Sequence, residues 1–86
     1  MLIDSHCHLN FPDLAQRLPE VLANMAEAGV DKAIAISVSR QSFEEVHAIA
    51  QNYPNIYATV GIHPDDPEAE EFSLEELLER AARPKV

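Results

Sequence analysis

The 86-residue chain reads as an α/β protein built on a parallel sheet. Three observations carry that reading. Short runs rich in β-branched residues alternate with segments of helical periodicity. Each strand-plus-helix unit is about 25–30 residues long, the length of a βαβ crossover. Pro, Gly and Ser also stand where such helices would start and stop.

Leu2 to His6 forms the first strand pattern, Lys32 to Val38 the second and Ile56 to Ile62 the third. Between the first two, Leu18, Val21, Leu22 and Met25 share one helix face, with Pro19 suited to the first turn and Gly29 to the carboxyl cap. The next helix follows from Val46, Ile49, Ala50 and Tyr53 on one side. Ser42 with Glu45 forms its expected capping box, and Pro54 is its stop. Ser73 with Glu76 repeats the device and opens a third helix, whose Leu74, Leu77, Leu78 and Ala81 line one face up to Arg83-Pro84. Lys85-Val86 reads as the start of a fourth strand.

In the second strand Ala33, Ala35 and Ser37 occupy one face and Ile34, Ile36 and Val38 the other. The expectation is that the branched residues pack under helices while the small ones face a crowded interior or a site. Thr59, Gly61 and His63 share a parity in the third run, so Gly61 clears space below the histidine. An open doubly wound sheet and a (β/α)8 barrel both fit this order. Both gather ligands at the carboxyl ends of their strands.

Composition narrows the function. The chain is 47% hydrophobic and 24% charged, an ordinary globular balance, and its length suits at most one small domain. No apolar run approaches the ~20 residues of a membrane span and no leader pattern opens the chain, so a cytoplasmic location with no membrane partner is the default expectation. The lone cysteine, Cys7, cannot form an internal disulfide and reads as a small buried hydrophobe. A net charge of −9, with ten of fifteen carboxylates from Glu44 onward, argues against unaided binding to a phosphate backbone. A phosphate substrate would need a metal to invert the local field.

The chemistry concentrates in Asp4-Ser5-His6-Cys7-His8. Strict alternation sends Asp4, His6 and His8 to one face, with Ser5 and Cys7 on the other. Two imidazoles at that spacing are half of a metal site, and Asp4 lies one step below, suited to orient them from behind. His63, at the end of the third strand, converges on the same rim. Asp65 and Asp66 could reach it too, though Pro64-Asp65-Asp66-Pro67 reads first as a solvated turn. His47, inside the second long helix, reads as structural or solvent-facing.

Ile3-Asp4-Ser5-His6-Cys7-His8-Leu9, followed by Gly61-Ile62-His63-Pro64, resembles the amino-terminal third of TatD-type metal-dependent deoxyribonucleases, which are amidohydrolase-like TIM-barrel hydrolases. The resemblance spans essentially the whole chain. It implies a partial TIM (β/α)8 barrel with about three βα units, so residues 1–86 are expected to be the amino-terminal portion of one such barrel domain, apparently truncated. It further implies His6 and His8 as ligands of one or two divalent ions, Mg2+, Zn2+ or Mn2+, with His63 near substrate. The family's remaining site residues, a glutamate, two histidines and an aspartate, are expected after Val86, so no residue within the chain is assigned as catalytic and the chain alone is expected to be inactive. DNA is the implied substrate of the full-length parent. A related ester or amide hydrolase, such as an aminoacyl-tRNA deacylase, is the sister reading. A non-catalytic α/β fragment that self-associates through an open sheet edge is the other.

Overall fold

The computed structural model describes residues 2–64 and 71–86. Its elements run β1 (Leu2–Cys7), α1 (Pro12–Ala15), α2 (Leu18–Glu27), β2 (Val30–Ala35), α3 (Arg40–Asn52), β3 (Ile56–Ala58) and α4 (Leu74–Ala81). The strands form a three-stranded sheet in the order β1-β2-β3 with both pairings parallel. Among the described residues no helix is long and apolar enough to cross a membrane.

The chain leaves α2 through Gly29, whose φ of +84° lies in the left-handed region that a residue without Cβ enters at little cost. The Gly29 carbonyl then accepts the Leu2 N–H at 3.0 Å, which starts β1 beside the incoming β2. The predicted cap residue therefore ends the helix and also seeds the sheet.

The amino terminus of α3 differs from expectation by three residues. Ser39 is the cap: its side chain accepts the Ser42 N–H, and the Ser42 hydroxyl accepts the Ser39 N–H in return. Ser42 does take part in a capping box, but at the helical end of it. The last helix begins as its sequence says, with Ser73 and Glu76 satisfying each other's backbone N–H groups.

Small residues pack under the helices, reversing the facial expectation. Ala33, Ala35, Ile56 and Ala58 are buried in one cluster with Leu9, Leu18, Val46 and Ala50. Ile34 and Ile36 on the opposite face are half-buried. Alanine on the sheet lets helix backbones approach closely, and branched residues are the kind that fill the inside of a barrel. The sides were exchanged because alternation alone does not say which face a crossover covers.

Two strands are shorter at their carboxyl ends than their composition suggests. After Ala35 and Ala58 the ladder gives way to single bonds: Thr59 N–H to the Ala35 carbonyl, Ser37 N–H to Thr59 Oγ1, and His63 N–H to the Val38 carbonyl at 2.9 Å. The Ser37 hydroxyl, itself buried, donates toward the Gly61 carbonyl at 3.1 Å. The Thr59 and Ser37 side chains thus supplement backbone pairing at this end of the sheet. Beyond β3 the Ala58 N–H donates to the Lys85 carbonyl at 2.9 Å. Lys85 itself is a turn residue with φ of 71°, so the expected fourth strand is present only as this one strand-like bond.

Helix α4 docks on α3 through cations and rings. Arg40 pairs with both carboxylate oxygens of Glu76, and the guanidinium groups of Arg40 and Arg80 each lie 5.1 Å from the centre of Phe72. Phe72 in turn meets the fully buried Phe43 edge-on at 6.4 Å. The predicted leucine face is largely unused here: Leu74 is 72% exposed and Leu78 63%.

Candidate metal centre

His6 and His8 come together at the carboxyl end of β1, with ring centres 5.1 Å apart and planes at 79°. Two imidazoles sharing one ion at about 2.1 Å per nitrogen would have centres about 5 Å apart. The spacing fits. His8 Nδ1 is buried with no hydrogen-bond partner, and a buried unpaired nitrogen is costly unless something fills its lone pair or takes its proton. That orphaned atom beside a second imidazole is what an ion-binding half-site presents. Among the described residues no group of three or more His, Cys, Asp and Glu side chains gathers around it.

Asp4 acts on the pair through the backbone. Its Oδ1 accepts the His6 N–H at 3.0 Å, bridging two residues and fixing the peptide that carries the first imidazole. The expectation that Asp4, His6 and His8 share a face by strict alternation needs correction. Asp4 registers with Ala33 and Cys7 with Ala35, so three steps on β1 span two on β2. One extra residue bulges between them, and Asp4 and Cys7 therefore align with the same parity of β2. Where a bulge sits next to a site it re-aims side chains that a flat ladder would hold apart.

Cys7 is half-buried against the core cluster, and its thiol donates to the Ile34 carbonyl at 3.4 Å. Burial, helped by the nearby Asp4 charge, pushes its pKa up to about 11. A thiol so hard to ionise is a poor nucleophile, and its contact with the core cluster is in line with its reading as a small hydrophobe.

The exposed His63 lies at the same end of the sheet, its backbone bonded to Val38 just beyond β2. It does not join His6 and His8 in a ligand cluster. Asp65 and Asp66 lie outside the described residues. His47 is structural: it is buried, stacked on Phe43 at 5.4 Å, and its Nε2–H donates to the Pro84 carbonyl at 3.2 Å.

The turn after β1 holds what the sequence reading missed. Phe11 stacks on His8 with centres 4.5 Å apart and planes 19° from parallel. Asn10 donates from Nδ2 to Glu45 of α3 at 2.9 Å. The short helix α1 was also missed, although Pro12 at its first turn is a start signal.

Residues 3–86 match the family model described as TatD related DNase. The chain is 38% identical over 82 residues to the uncharacterized metal-dependent hydrolase YjjV of Escherichia coli (strain K12), covering 94% of this chain and 32% of that protein. It is 31% identical over 64 residues to the deoxyribonuclease TATDN3 of Homo sapiens, covering 73% and 23% respectively. The crystal structure of YjjV, a TatD homolog from Escherichia coli K12, superposes with a TM-score of 0.76 at 37% identity, over 92% of this chain and 29% of that one. The chain thus spans about a third or less of the length of the relatives it matches, and its parallel βα units are a segment of their barrel fold. On sequence and on structure alike, this chain belongs to the TatD-related DNase family.

Proposed function

We propose that the chain supplies the first two metal ligands, His6 and His8, of a metal-dependent hydrolase that cleaves phosphodiester bonds in DNA. The observation that carries this is the facing imidazole pair with the buried, unpartnered His8 Nδ1. Relatives named as a metal-dependent hydrolase and a deoxyribonuclease support the reaction class. A divalent ion, Mg2+, Zn2+ or Mn2+, one or two per site, supplies an activated water and offsets charge building on the phosphoryl oxygens.

The chain's own residues bind and orient. His6 and His8 offer ring nitrogens at fixed spacing, and Asp4 holds the His6 peptide so that the first ring keeps its direction. We assign to His63, exposed at the same sheet end, a contact with substrate phosphate. We take these residues as the amino-terminal portion of one barrel domain whose remaining ligands lie outside them, a reading supported by the share of about a third that the chain covers of its relatives.

The test is cleavage of a single-stranded DNA oligomer by a protein containing this chain, with and without chelator. Activity is expected only with divalent metal and is expected to vanish in H6A/H8A. Chelator-resistant cleavage, or an ester substrate cleaved in preference to DNA, would overturn the reading.

A further inference from the structure

Phe11 is the aromatic of this turn that core packing does not explain. It is 44% exposed and absent from the buried cluster, yet its ring lies flat on His8. The backbone leaves it little choice. The Phe11 N–H donates to the His8 carbonyl at 3.1 Å, closing a four-residue turn, and the buried Leu9 and the Asn10–Glu45 bond pin the middle of that turn. Pro12 follows, and a residue before proline is confined to extended backbone, where Phe11 sits at φ −62° and ψ 139°. Phe11 O then accepts the Leu14 and Ala15 N–H groups that open α1.

We propose that Phe11 is a positioning residue for the metal site: its ring fixes the rotation of the His8 imidazole beside the neighbouring His6. This rests on the proposed metal role of the two histidines. An imidazole otherwise turns broadly about its outer torsion, and here no hydrogen bond to Nδ1 stops it. Where metal-binding histidines are usually held by a partner on the second nitrogen, the flat contact with Phe11 performs the holding, at an offset-stack distance. The ring also keeps water off one side of His8, which strengthens ligation.

The experiment uses a protein containing this chain with isotope-labelled histidine, titrated with Zn2+ and followed through the carbon-bound ring protons of His6 and His8. In the metal-free chain the His8 ring protons are expected upfield, with cross-relaxation to Phe11. Phe11→Leu and, as a second open-chain variant, Phe11→Met are expected to abolish that shift and to weaken Zn2+ about tenfold. Phe11→Tyr is expected to keep both. Zn2+ affinity in the Leu or Met variant within twofold of the parent, or loss in Phe11→Tyr as large as in Phe11→Leu, overturns the positioning role alone. Zn2+ that moves neither histidine in the parent overturns the metal reading and this inference together.

Discussion

The turn after β1 and the flank between α3 and α4 are opposite solutions to placing polar groups. The flank is tied together by ion pairs: Arg40, Arg80 and Arg83 share Glu44, Glu76 and Glu79, and their guanidinium groups lie over Phe72 and Phe43. The turn leaves one buried nitrogen of His8 unmatched and holds its ring with an aromatic instead of a hydrogen bond. A region whose opposite charges are paired inside the chain is a scaffold. One that sets two imidazoles side by side with no charged partner among the described residues has affinity left for a ligand.

If that contrast holds, breaking the scaffold should cost folding and breaking the turn should cost binding. The largest effect is expected from Phe43→Ala, which empties a fully buried site beneath His47, Phe72 and Arg83. Urea unfolding should show a loss of about 3–5 kcal/mol, enough to unfold a small domain. His6→Ala with His8→Ala should lower Zn2+ affinity in calorimetry by at least about tenfold while changing unfolding far less than Phe43→Ala. Equal losses of stability from the two would erase the distinction between scaffold and site.

Ser39→Ala tests the corrected cap of α3 and should cost about 1 kcal/mol in thermal or urea unfolding. Glu76 probes the flank by pH. Arg40 above all, with the Ser73 backbone N–H, holds its carboxyl down at about 2. A carboxylate with a lowered folded pKa contributes stability that is fully present above its unfolded value, about 4.3, and is lost as pH falls toward 2. The stability gap between the parent and Glu76→Gln should therefore be complete at pH 6, shrink below about pH 4.5 and close near pH 2. Because the pair is solvent-accessible, added salt should narrow the gap at every pH. The smallest effect is expected from Cys7→Ala, whose Zn2+ affinity should stay within twofold of the parent because the thiol faces the core.

The order of elements was legible because strands and helices write their periods locally. Ser73-x-x-Glu76 and Gly29 are cases where the local signal and the structure agree. His6 and His8 were legible for the same reason, as two imidazoles at fixed spacing where a strand ends. Ser39 was not, since Ser39 and Ser42 compete for the same cap and only the path out of β2 chooses between them. The reversed faces of β2 were illegible too: alternation separates Ala33 from Ile34 but does not say which side the helices take.

By itself, then, the sequence determined the α/β alternation, the parallel sheet and the histidine pair, all of which depend on residues a few positions apart. Tertiary structure decided the bulge that aligns Asp4 and Cys7 with one parity, the stack of Phe11 on His8 and the arginine–phenylalanine flank. Register depends on the partner strand. A ring contact depends on where a turn aims its ends. The arginine contacts that tie α3 to the last helix join residues more than thirty positions apart, as Arg40 and Glu76 are, and no local period encodes such a meeting.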